Sequence, residues 1–223
     1  MRTNYTIIDR INSRHLIFKS AIVFFVVCMT FASVRVSTVY AQSLKFVNPD
    51  KQKVYEEKIE LEYLVSYSNV TKVIDEIEKM PRWIWEKFIN DEGTIRLVNF
   101  IDFKSPIKGH ENDLIVGLYH EDPLTRYISL DVNNDGVEST LHEFGHYIDL
   151  GVNNHVSVSN EFQNIYNREK EKFFEYTKND YATSDVSEYF AEAFQQLYKS
   201  DLSSQNLYTY CPDTWIFIDN LLN

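Results

Sequence analysis

The sequence predicts an α+β domain, on three observations. Short runs rich in β-branched and apolar residues occupy 94–101, 114–120 and 126–132. The segments on either side place apolar residues at helical spacing. No stretch repeats at a fixed period, and 223 residues with 44% hydrophobic and 15% aromatic content suffice for one core. Strands grouped in the middle and helices outside them give a small mixed sheet with a helical C-terminal part. The 22 Lys and Arg stand against 33 Asp and Glu, a net −11, and there is no basic stripe. That balance excludes nucleic acid as a partner and argues for solubility.

Residues 1–41 read as a secretion signal. Arg2, Arg10, Arg14 and Lys19, against Asp9 alone, precede an apolar run from Ala21 to Val34 that Arg35 ends. A bilayer span takes roughly 20 apolar residues, whereas a signal's hydrophobic region takes about 7 to 15 and is followed by small residues. Val39-Tyr40-Ala41 supplies the cleavage site. The bulky Phe25-Val26-Val27 before Cys28 argues against lipid attachment there. Cleavage leaves 42–223 as one secreted, monomeric domain without membrane association, and with Cys211 as its only cysteine, hence no internal disulfide.

Within 42–92 the pattern is that of a helical scaffold: Val70, Ile74 and Ile77 share a helix face, and Pro81 interrupts before Trp83, Trp85 and Phe88. Trp83, Trp85 and Trp215 are assigned to the core. The catalytic part, 93–223, begins with the strands, the last alternating Ile128, Leu130 and Val132 against polar neighbours. After Asn134-Asp135-Gly136 a helix follows, with Asp135 and Glu138 spaced as a capping box and Gly151 placed to end it. Further helices are expected over 160–176, from Ser184 or Asp185 to about Lys199, and from Pro212 onward.

The capped helix contains His142-Glu143-Phe144-Gly145-His146. At 3.6 residues per turn the two histidines stack on one face, so both imidazoles can meet one ion, and zinc is the metal their ligand type favours. Glu143 projects beside that ion, where it can take a proton from water instead of binding the metal. Gly145 leaves room for another element to approach closely. A catalytic zinc needs a third protein ligand and an open position. The metzincin pattern is excluded, because Asp149 and Val152 stand where it requires Gly and His. His155 is out of register and reads as a loop residue. Glu188 and Glu192 lie i, i+4 on one helix face beside Phe190, Ala191 and Phe194. Two like charges there repel, and a cation at Glu188 resolves the conflict. Glu192, one turn along, can then accept the free N–H of a ligand histidine. Asp149, near the end of the first helix, is either a group supporting the metal ligands or an exposed acid.

His142-Glu-x-x-His146, followed by Glu188-Tyr-Phe-Ala-Glu192-Ala-Phe and Cys211-Pro-Asp-Thr-Trp215-x-Phe217, resembles the family of the anthrax lethal factor catalytic domain and the secreted Pro-Pro endopeptidases. The resemblance implies a zincin-like fold. It implies one Zn2+ per chain on His142, His146 and Glu188, and endopeptidase activity on extracellular proteins or peptides. It also implies that Tyr181, seven positions before Glu188, faces the zinc and steadies the oxyanion. The family's Lys-Gly-Trp-Glu corresponds to Lys108-Gly109-His110-Glu111, which puts His110 where a tryptophan meets substrate prolines. His110 is therefore either a substrate contact or a plain loop histidine. The competing reading is a catalytically silent lethal-factor-like docking module of a toxin system, which predicts decayed metal ligands; here all are intact.

Overall fold

The structure, a computed structural model, describes Tyr55 and residues 57–223. The predicted signal at 1–41, with Cys28, lies outside the described residues. Among the described residues the sheet has four strands: β1 (Ile59–Leu61), β2 (Thr94–Val98), β3 (Gly117–Glu121) and β4 (Arg126–Asp131), in the order β1-β2-β4-β3. β1, β2 and β4 run parallel, and β3 joins antiparallel as one edge. Alternation fixes the register. Ile59, Ile95, Ile128 and Tyr119 form one row on the inner face, and Leu97, Leu130 and Gly117 the next. On the outer face the Arg96 guanidinium lies 4.0 Å from the Tyr127 ring centroid and pairs with Glu60.

Two helices come between β1 and β2: α1 (Ser68–Ile77) and α2 (Arg82–Asn90). Val70, Val73, Ile74 and Ile77 bury one stripe of α1, and Ile84, Trp85 and Phe88 one stripe of α2. The stretch expected to be wholly helical therefore also contributes strand β1. A strand of three residues with only Ile59 buried leaves almost no periodic signal. Trp85 is core, as expected, whereas Trp83 is 38% exposed and Trp215 half-buried with its Nε1 donating to Ser204 Oγ. Trp83 falls on the solvent side of α2 because the helix buries the residues next to it.

Helix α3 (Thr140–His146) enters through a 3₁₀ turn at Gly136–Ser139 and continues as a π-helical stretch at Tyr147–Val152. The capping box does not form: Asp135 takes a left-handed conformation (φ 62°) and makes no cap hydrogen bond. Gly151 does not end the helix but sits inside the π-helical stretch. A Cβ there would lie 2.8 Å from the Tyr119 hydroxyl, so the glycine serves close approach. Phe88 of α2 sets its ring 5.1 Å from both Phe144 and Tyr147, edge-on to each, and so backs α3 with an aromatic cluster.

The C-terminal part comprises α4 (Asn160–Thr177), the short α5 (Tyr181–Ser184), α6 (Val186–Lys199), α7 (Asp201–Tyr210) and α8 (Pro212–Leu222). Ser159 caps α4 and Asp185 caps α6, by side-chain bonds to Phe162 N and Ser187 N. Buried Glu169 of α4 accepts from the backbone N–H groups of Asp213 and Thr214 and from the Thr214 hydroxyl. The Cys-Pro-Asp-Thr stretch thus gives α8 a carboxylate cap from a distant helix, favoured by the helix dipole. Among the described residues no helix is long and apolar enough to cross a membrane.

Candidate active site and metal centre

Two helix faces meet at the site, and Gly145 is why they can. A Cβ on Gly145 would lie 2.6 Å from the Ala191 Cα, so α3 and α6 cross with backbones nearly touching. That crossing presents His142 and His146 on one side and Glu188 on the other. The His142 and His146 Nε2 atoms lie 3.1 and 3.4 Å from the same Glu188 oxygen, Oε2. The two imidazole centroids are 4.9 Å apart. One ligand atom from each of the three residues falls within 4.8 Å of the others.

The chemistry of this donor set fits a metal. Glu192 Oε2 lies 3.3 Å from His142 Nδ1; a carboxylate there accepts the Nδ1–H, and in that tautomer the Nε2 lone pair faces the Glu188 carboxylate. Two acceptors at that distance repel, and only a proton or a cation between them relieves it. Burial opposes protonation of His142, yet its bonds to Glu188 and Glu192 outweigh burial and raise its pKa well above the usual imidazole value. Burial likewise works against ionised Glu188, but both histidines hold it far below the usual carboxylate range. Gln196 Nε2 donates to Glu192 at 2.8 Å and fixes it in turn.

Glu143 stands beside His142, His146 and Glu188 without joining their cluster and is 4% exposed. Its carboxylate occupies the gap in the inner row of the sheet where Gly117 has no side chain; a Cβ on Gly117 would lie 2.9 Å from Glu143 Cδ and would strike Ser139 as well. Burial raises the Glu143 pKa, and the neighbouring imidazoles pull it back. A glycine in a strand commonly marks such close approach, and Gly117, the first residue of β3, is the one signal in the sequence for this gap.

Tyr181, at the start of α5, lines the same cleft, which encloses about 670 Å³ between Leu114–Tyr119 and the faces of α3 and α6. Burial, reinforced by Glu188, holds its hydroxyl well above the ordinary phenol pKa, so it remains a proton-bearing donor. Asp149 is fully buried rather than exposed: its carboxylate accepts from Ser157 N, Ser157 Oγ and Ser187 Oγ. It ties the middle of the π-helical stretch to Ser187, the residue before Glu188, and makes no hydrogen bond with His142 or His146. His155 sits in a loop, 3.9 Å from Asp149, away from the metal-ligand set. His110 packs edge-on against Tyr181 and bonds Asp113.

Fold and site together define a zincin-like α+β protein with a His-His-Glu centre. The family model described as "Anthrax toxin lethal factor, N- and C-terminal domain" matches residues 50–221, and the chain belongs to that family. A Pro-Pro endopeptidase of Clostridioides difficile (strain 630) is 32% identical over 88 residues, which are 40% of this chain and 39% of that relative. The structure of the Pro-Pro endopeptidase PPEP-2 from Paenibacillus alvei aligns with TM-score 0.58 and 23% identity, covering 75% of this chain and 99% of that one, a likeness of fold.

Proposed function

We propose that the protein is an exported zinc endopeptidase of single-domain, monomeric form. The observation that carries this reading is the convergence of His142, His146 and Glu188 with buried Glu143 beside them, in a cleft roofed by a sheet edge. The similarity to a Pro-Pro endopeptidase supports a peptide substrate. Zinc held by these three side chains would supply Lewis acidity for attack of water on a peptide carbonyl. An extended peptide pairs its backbone with the free edge of β3. Glu143 accepts the proton of the attacking water and delivers it to the leaving amine. The Tyr181 hydroxyl donates to the oxyanion as it forms. Glu192 keeps the His142 proton on Nδ1, and Asp149 holds Ser187 and with it the start of α6.

The test is mass-spectrometric: the purified protein is incubated with a peptide library containing a Pro-Pro subset, with and without a chelator. Chelator-sensitive cleavage is expected, with Pro-Pro bonds the first to inspect. Absence of cleavage by protein that holds one zinc would overturn the peptidase reading and favour a docking module. Export through residues 1–41 is checked separately by amino-terminal sequencing of secreted protein. Gln42 is expected first, and a start at Met1 excludes the signal.

A further inference from the structure

The oxyanion donor proposed above stands on weak support of its own. Tyr181 opens a helix of only four residues, reached through Lys178 in a left-handed conformation (φ 57°). One turn of helix fixes its own side chains poorly. Its ring is confined instead by a loop from the opposite wall. That loop is closed at its base by a bridge between Lys104 and Leu114 and folded on itself by His110 N to Ile107 O (3.0 Å) and Asp113 N to His110 O (3.0 Å). From it the His110 ring meets Tyr181 edge-on, centroids 5.3 Å apart and planes at 86°. His110 in turn donates from Nδ1 to Asp113 at 2.6 Å, and its side chain is only 14% exposed. Ser105, buried in the same loop, and Glu188 of α6 both lie within reach of the Tyr181 hydroxyl, whereas the ring behind it has His110 as its aromatic neighbour.

We propose that His110, held by Asp113, is a positioning residue for Tyr181. Its ring packs across the phenol and holds it with the hydroxyl toward the cleft that Tyr181 lines. A ring packed this way is spent on the tyrosine rather than offered to substrate as a platform. The role rests on the peptidase reading for its catalytic consequence, but the contact itself does not.

Two measurements test it. In steady-state kinetics His110→Ala is expected to lower kcat about tenfold with KM nearly unchanged, short of the roughly hundredfold that loss of an oxyanion donor costs. His110→Phe, which keeps an aromatic ring against Tyr181, restores most of that loss. In a Tyr181→Phe background His110→Ala costs less than about twofold, because the group it positions is gone. A rise in KM at unchanged kcat, or the same tenfold loss in both backgrounds, overturns the proposal. The second measurement needs no activity: 19F NMR of protein carrying 3-fluorotyrosine at position 181. His110→Ala is expected to shift and broaden that resonance, and His110→Phe to return it toward the wild-type position. If the resonance ignores His110→Ala, the inference fails whatever the enzyme does. If it responds while wild-type protein with zinc bound cleaves nothing, the contact stands and the peptidase reading falls.

Discussion

Replacing Glu143 with glutamine is expected to lower peptide hydrolysis about a thousandfold while leaving metal content unchanged. The loss follows from the role: a side-chain base in the transition state contributes typically 10²–10⁴-fold, and an amide cannot accept the proton. Metal content is unaffected because Glu143 lies outside the set formed by His142, His146 and Glu188. Glutamine keeps the volume that fills the gap beside Gly117 and Ser139, so packing is preserved where alanine would open a cavity. It also removes a carboxylate whose burial disfavours its charge, so thermal stability is expected to hold or rise slightly. Steady-state rates, metal analysis and a melting curve check the three parts. Retention of more than a tenth of the activity would remove Glu143 from the mechanism.

How much of this was legible beforehand depends on how far apart the cooperating residues lie in the chain. His142 and His146 were readable because one helix sets their spacing, and Glu188 with Glu192 because two like charges on an otherwise apolar face demand a reason. Gly145 was readable as a point of close approach, though its partner, Ala191, was not. Local rules failed where a distant contact decided the outcome. The Asp135–Glu138 spacing fits a capping box, yet backbone contacts crowd Gly136 against Val116 and Asp131, and Asp135 turns left-handed instead. A carboxylate at the end of a helix looked unfavourable at Asp149, but Ser157 and Ser187 supply three donors that no local pattern announces. Strand β1 was lost among charged residues because Ile95 and Leu97 of β2, not its own sequence, make it a strand. Helix α7 was missed for a related reason: only Leu207 of it is fully buried, so it has almost no amphipathic signature and depends on its Ser200–Ser203 capping box.

Gly145→Ala is expected to destabilise the protein and weaken metal binding together. In an exposed helix the same change would stabilise by about 1 kcal/mol, since glycine is the poorer helix former. Here the new methyl would sit 2.6 Å from the Ala191 Cα and 2.9 Å from its carbonyl oxygen. Those are backbone atoms of α6 and cannot swing aside as a flexible side chain would. Overpacking typically costs about 1–3 kcal/mol, and a clash with backbone belongs at the upper end, so the penalty exceeds the propensity gain by about 1–2 kcal/mol. For a domain of this size that is a fall in Tm of roughly 2–8 °C. The larger consequence is at the site. Relief of the clash moves α6 away from α3 and so moves Glu188 away from His142 and His146, which now lie 3.1 and 3.4 Å from its Oε2. Metal affinity is then expected to drop tenfold to a hundredfold, the range seen when groups that orient metal ligands are disturbed. Thermal unfolding with and without zinc, together with chelator competition, separates the two effects. A higher Tm with unchanged zinc affinity would mean that helix propensity governs position 145 and that the close crossing of α3 and α6 does not set the ligand geometry.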